Sequence, residues 1–292
     1  MMDSLQILLE EGKEFLEKAG IEEAGLDAWL LLEYTTGRSR AYYFAHREET
    51  VKKEVAETYR KLVRERALHI PLQHLTHQAF FMGYEFYVNE HVLIPRQDTE
   101  TLVEAALNVL KNREHPKILD MCTGSGCILL SLLMEKKDGT GAGADLSEEA
   151  LKVAKRNARS LGVEDRTVFL KSNLFSNEYF SKKDGKSSGK YDILISNPPY
   201  IRTTDIEDLM EEVKFHDPRM ALDGFEDGLY FYREITARAG EFLKSGGWLM
   251  YEIGFDQGKV VQELLHKAGF INTGIVQDLC GLDRVVLGQK VG

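Results

Sequence analysis

The chain has 292 residues, 43% of them hydrophobic and 29% charged, which supplies a core for one or two domains and excludes wholesale disorder. Its formal charge of −10 argues against a long polyanion as the main partner, although a local basic patch stays open. The sequence has no run of about 18 apolar residues, its acidic start fits no signal or transit peptide, and Cys122, Cys127 and Cys280 form no CxxC pair. We therefore expect a soluble cytoplasmic protein without a membrane segment, disulfide framework or metal site.

Residues 1–77 read as a small helical bundle. Helices are expected at Leu5–Lys18, at 22–36 and at 50–68, where Val51, Val55, Tyr59 and Leu62 share one face. Basic side chains outnumber acidic ones over 38–77, with Arg38, Arg40, Lys61 and Arg64 among them. A solvated helix face is the ordinary explanation of such a run; a docking surface for an acidic macromolecule is the functional one. Residues 78–95 turn aromatic and β-branched, with Gly83 in between, and predict a β-hairpin linker.

From residue 96 onward the pattern alternates. A helix is expected at 98–111, capped by Asp98 or Thr99, then a strand at Lys117–Met121, a glycine turn, a helix at 127–136 and a strand at 142–146. Ser147 can cap a helix at 148–161. Strands follow at Thr167–Lys171 and Tyr191–Ser196, a helix at 227–243, a strand at 247–253, a helix at 256–268, and strands at 271–278 and 284–288. Helical crossovers between strands give an α/β fold, a mostly parallel twisted sheet covered on both faces. The hydrophilic insert 181–190 reads as a mobile surface loop.

Two segments carry chemistry. In the run Ile118-Leu119-Asp120-Met121-Cys122-Thr123-Gly124-Ser125-Gly126-Cys127 a strand enters a tight turn whose glycines let backbone amides approach a ligand. Asp145 ends the next strand, where a carboxylate can accept ribose hydroxyls. A dinucleotide fingerprint needs glycine at 129, and Leu129 stands there. Asp120 is awkward beside a diphosphate but suits an ammonium group, which points to S-adenosylmethionine.

The second segment is Asn197-Pro198-Pro199-Tyr200, directly after a buried strand and holding two of only six prolines. Proline fixes φ and removes its own N–H, so the corner is stiff, with the Asn197 side-chain oxygen and the Pro198 carbonyl as acceptors. Two acceptors converging on one planar –NH₂ group orient its nitrogen lone pair toward a methyl donor, and Tyr200 can pack on the group that bears it. A rigid surface turn is the bland alternative.

With Pro71-Leu72-Gln73-His74-Leu75-Thr76, Leu93-Ile94-Pro95-Arg96-Gln97-Asp98-Thr99-Glu100 and Asp283-Arg284-Val285-Val286-Leu287-Gly288, these segments resemble the HemK/PrmC family of release factor glutamine N5-methyltransferases. The resemblance implies a helical domain, a hairpin linker and, over 96–292, a Rossmann-like class I methyltransferase domain with its last strand antiparallel. It implies S-adenosylmethionine as cofactor and, as substrate, the glutamine of the Gly-Gly-Gln motif in class 1 release factors. By position, Cys122, Thr123, Gly124, Ser125 and Gly126 would line the methionine end. Asp145 would hold the ribose, Asn173 and Leu174 would border the adenine, and Asn197, Pro198, Pro199 and Tyr200 would grip the glutamine, with Arg96 supporting the rim. Cys122 stands where the family often has Gly, Asn173 where it often has Asp, and His77 and Ala79 where it tends to have Gly and Glu.

A monomer acting on a protein, without direct nucleic acid contact, is the expectation. The nearest alternative is a nucleic-acid adenine N6-methyltransferase, because adenine presents a similar –NH₂. A nicotinamide oxidoreductase is disfavoured by Leu129 and Asp120, and a non-catalytic adaptor by the intact Asn-Pro-Pro-Tyr. Glu252 ends a strand and could face the pocket, with no role evident from sequence.

Overall fold

The computed structural model describes residues 3–181 and 190–292; most of the insert at 181–190 lies outside them. The backbone forms two compact units, one of Met1–Gln78 with Met210–His216 and one of Ala79–Leu209 with Asp217–Gly292. Among the described residues, no helix is long and apolar enough to cross a membrane.

The first unit holds helices α1 (Leu5–Lys18), α2 (Ala24–Thr36), α3 (Arg40–His46), α4 (Lys53–Arg66) and α5 (Leu72–Thr76). Ser4 and Ser39 start α1 and α3 by accepting the orphan N–H groups of Ile7 and Tyr42. Leu8, Leu16, Trp29, Leu32, Tyr59 and Val63 fill its core. The predicted helix at 50–68 begins only at Lys53, because Thr50 bridges back to Ser4. Buried Arg66 joins Asp27 at 2.6 Å and Glu212 at 2.5 Å, so an ion-pair network ties Met210–His216 to this core.

The second unit opens at Ala79, inside the hairpin of β1 (Gln78–Phe81) and β2 (Tyr84–Tyr87), whose turn has positive φ at both Met82 and Gly83. Then come α6 (Glu100–Val109), β3 (Lys117–Met121), α7 (Cys127–Glu135), β4 (Thr140–Asp145), α8 (Glu148–Ser160), β5 (Thr167–Lys171) and β6 (Tyr191–Ser196). Past α9 (Glu211–His216), which belongs to the first unit, follow α10 (Arg219–Leu222), α11 (Tyr230–Phe242), β7 (Leu243–Glu252), α12 (Gly258–Lys267), β8 (Phe270–Gln277) and β9 (Asp283–Lys290).

The strand order is β5-β4-β3-β6-β7-β9-β8. Strands β3 to β7 run parallel, and β9 inserts antiparallel between β7 and β8. The expected parallel sheet with a reversed last strand is the observed one. Every residue of β6 is buried, as its apolar run requires. Leu129 of α7 packs where Gly141 of β4 lacks a Cβ: one built there would stand 2.4 Å from Leu129 Cδ1. Ser147 caps α8 as its position predicts, accepting the Ala150 N–H at 3.1 Å. The predicted cap of α6 is absent. Thr99 has helical backbone angles, and no side chain caps that end.

Candidate active site

The chain reverses its strand order about β3, with β4 on one side and β6 on the other. The carboxyl ends of these strands are where an open α/β sheet binds ligands. A cavity of about 310 Å³ lies there, lined in part by Thr123, Gly124, Asp145, Leu174, Asn197 and Pro199.

The turn after β3 takes left-handed backbone at Cys122 (φ 62°), Gly124 (φ 53°) and Gly126 (φ 80°). A glycine is the ordinary occupant of such positions, so Cys122 sits there at a conformational cost. The turn is locked by Thr123 N–H to the Ala144 carbonyl at 3.1 Å and by Gly124 N–H to Asp145 Oδ2 at 2.8 Å. Asp145 Oδ1 accepts the Ser147 N–H at 2.8 Å. Each oxygen keeps a second lone pair for a ligand hydroxyl. Burial raises the Asp145 pKa against the pull of these amides.

Asp120 is fully buried at the end of β3 and is not among the residues lining the cavity. Its Oδ2 accepts the Thr123 hydroxyl at 2.6 Å, the role of a turn carboxylate, and Oδ1 has no partner at hydrogen-bonding geometry. Burial first, and the Asp145 charge after it, raise its pKa to about 7, while Thr123 and, least, the Leu129 amide lower it.

At the other end, Ser196 Oγ donates to the Met121 carbonyl at 2.5 Å, fixing β6 to β3 just before the proline corner. Asn197 and Pro199 line the cavity, with Pro198 buried and Tyr200 half-buried in the same corner. Asn197 Nδ2 donates weakly to Thr99 Oγ1 at 3.4 Å. Among the described residues nothing donates to Asn197 Oδ1 or to the Pro198 carbonyl. Tyr200 is held by Gln257 Nε2, which donates to its carbonyl at 3.0 Å, and its hydroxyl stands 3.4 Å from Glu252 Oε1.

Glu252 is buried with Oε2 unpartnered, and burial raises its pKa to about 7 against the pull of Thr99, Arg284 and Tyr200. Arg96 is on the wall, half-exposed, and paired to buried Asp217 at 2.7 Å. The wall also takes Cys122, Ser125, Asn173 and Leu174; Gly126 stands behind it, where an added Cβ would press on Leu130 and Ala154.

Sequence reading missed three contributors. Thr99, which the sequence offers with Asp98 as a helix cap, instead turns its hydroxyl to Asn197. The segment Pro218–Asp223 and the rings of Phe225 and Phe231 complete the wall. Their signal was a turn-rich stretch, with Pro218, Gly224 and Gly228, between two clear elements.

The parts at the β4 end suit a cationic nucleoside. The Asp145 charge adds to burial in raising the proton affinity of Asp120, and a positive ligand would relieve that repulsion. Asp145 has lone pairs for a ribose, and no Cβ narrows the wall at Gly124. Fold and site together define a class I, S-adenosylmethionine-dependent methyltransferase.

Comparison with known proteins narrows the class. Residues 8–76 match the PrmC N-terminal domain family, and 98–268 match the Methyltransferase small domain family. A release factor glutamine methyltransferase of Clostridium acetobutylicum is 38% identical over 91% of this chain and 91% of its own. One of Geobacter sulfurreducens is 36% identical over 99% and 97%. The catalytic domain of hMettl16, solved in complex with MAT2A 3′UTR hairpin 6, shares the fold at a TM-score of 0.56 and 12% identity, over 79% of this chain and 84% of that one. This chain belongs to the release factor glutamine methyltransferase family.

Proposed function

We propose that the protein transfers a methyl group from S-adenosylmethionine to the side-chain amide nitrogen of the glutamine in the Gly-Gly-Gln motif of class 1 peptide chain release factors. The observation that carries this reading is the pair of acceptors at the β6 end, Asn197 Oδ1 and the Pro198 carbonyl, that receive no donor among the described residues and sit on a proline-stiffened corner.

A carboxamide nitrogen is a poor nucleophile because its lone pair is delocalised into the carbonyl. Accepting both of its N–H bonds increases electron density on nitrogen and aims the lone pair along one line. The corner thus acts by alignment and by dipoles fixed before the substrate arrives. When bound, S-adenosylmethionine would supply an electrophilic methyl on a positively charged sulfonium. After transfer the nitrogen sheds a proton, so no strong base is needed before attack. Tyr200, anchored by Gln257, stiffens the corner.

At the β4 end, Asp145 would hold the ribose, and Cys122, Thr123, Gly124 and Ser125 would border the methionine portion. Gly126 would support the turn from behind, Asn173 and Leu174 would border the adenine, and Asp120 would act through Thr123. Arg96 would brace the rim. Residues 1–77 would dock the release factor, 78–95 would serve as linker and 96–292 would catalyse, in the cytoplasm and as a monomer.

The test offers methyl-labelled S-adenosylmethionine with wild-type release factor and with a Gln-substituted version, followed by mass mapping. Label on the motif glutamine, absent from the substituted factor, is the expected result. Label on DNA or RNA adenine instead would replace this reading by the adenine N6 alternative.

A further inference from the structure

The strap from Asp223 to Gly228 lies directly on the proline corner. A Cβ built on Gly224 would stand 2.8 Å from Tyr200 Cα and 2.9 Å from the Pro199 carbonyl oxygen, and one on Gly228 would stand 2.4 Å from the Tyr200 carbonyl oxygen. Between these glycines sits Phe225. It has φ 68°, and it carries the bulkiest side chain among the described non-glycine residues in left-handed backbone. A benzyl group there is conformationally costly, and glycine would relieve the cost.

The surrounding hydrogen bonds hold Phe225 in place. Thr203 N–H donates to its carbonyl at 3.0 Å, and its own N–H donates to Asp223 Oδ1 at 3.0 Å. Thr203 Oγ1 donates to the same Asp223 oxygen at 2.6 Å. The residue is 49% exposed, so core packing does not explain it. It stands edge-on to Tyr230 with centroids 4.7 Å apart, lies 5.8 Å from Phe231, and lines the cavity together with Phe231 and Asn197. A strained, preset and half-exposed phenylalanine at the mouth of a site is placed for a ligand.

We propose that Phe225 is a specificity-determining residue of the acceptor mouth, where its ring packs on the peptide backbone beside the target glutamine and selects a glycine there. The proposal rests on the Gly-Gly-Gln reading above. A peptide that lowers a glutamine side chain toward Asn197 must cross the rim that Phe225 helps form. A flat ring accepts a flat backbone that carries no side chain, and a Cβ at the neighbouring residue would lift the peptide off it. Aromatic anchors of this kind dominate small recognition surfaces.

The experiment compares wild type, Phe225→Gly and Phe225→Tyr on a Gly-Gly-Gln peptide and on its Gly-Ala-Gln counterpart, with Tm and cofactor Kd measured alongside. Phe225→Gly should raise KM for the Gly-Gly-Gln peptide about tenfold, the loss of one aromatic anchor. It should also narrow the preference for glycine over alanine, leave cofactor Kd unchanged and keep or raise Tm. Phe225→Tyr should restore both KM and preference. A Phe225→Gly variant with unchanged KM and preference overturns the proposal, as does one whose losses follow a fall in Tm. Wild type that methylates neither peptide nor release factor would instead defeat the glutamine reading itself.

Discussion

At the β4 end of the cavity, both Asp145 oxygens accept backbone N–H groups of the turn they stabilise. At the β6 end, Asn197 Oδ1 and the Pro198 carbonyl accept nothing among the described residues, and Glu252 Oε2 is buried unpartnered nearby. At the β4 end the fold satisfies both Asp145 oxygens and one oxygen of Asp120, leaving Asp120 Oδ1 without a partner among the described residues; at the β6 end it leaves acceptors for an incoming donor. Polar groups that the fold leaves unsatisfied near a pocket are retained at a cost in stability, which separates groups that shape the site from groups reserved for substrate.

Substitutions at the two ends should therefore fail in different ways. The largest effect is expected for Asn197→Ala, with turnover falling by about 10²–10³, the range for losing one preorganised polar contact to the reacting group. Its cofactor affinity by calorimetry should stay near wild type, and its stability should change by less than about 1 kcal/mol, since only the long bond to Thr99 is lost. Near-normal turnover would break the contrast.

Asp145→Ala should act on both shape and binding. Removing an acceptor that holds two backbone N–H groups should lower Tm, and cofactor affinity should weaken by about 1.5–3 kcal/mol. An unchanged Kd would remove Asp145 from the ribose. A smaller effect is expected from reversing charge at Lys61 and Arg64 on α4. KM should rise for the intact release factor and stay constant for a short Gly-Gly-Gln peptide, because a docking face acts only on the protein. An equal rise for both would deny the helical unit a docking role.

A pH dependence is expected in stability alone. Glu252 has a folded-state pKa of about 7 against an ordinary 4.5, so the folded protein holds a proton that the unfolded chain has released between those values. Its contribution to stability is therefore full below pH 4.5 and is lost as pH rises to about 7. Glu252→Gln cannot charge, so its stability relative to wild type should climb across that window and level off above it. A flat difference curve from urea melts at stepped pH would show that burial leaves this carboxyl untouched.

Much of this arrangement is legible in the sequence where one local pattern decides the outcome. The switch from the apolar run of β3 to glycine turn to α7, the Ser147 cap and the proline corner after β6 each rest on neighbours in the chain. Legibility ends where partners are distant. Thr99 looks like a cap, but its hydroxyl faces Asn197, 98 residues away. Asp120 is fully buried with Oδ2 on the Thr123 hydroxyl, a depth in the sheet that no spacing encodes. The strap around Phe225 follows no helix or strand period, and its course is set by close backbone approach at Gly224 and Gly228.

The most direct test is a crystal structure with S-adenosylhomocysteine and a Gly-Gly-Gln peptide bound together. The account predicts the glutamine amide nitrogen within hydrogen-bonding distance of both Asn197 Oδ1 and the Pro198 carbonyl, facing the sulfur along a line clear of side chains. A glutamine seated elsewhere, or a proline corner turned away from that sulfur, would contradict it.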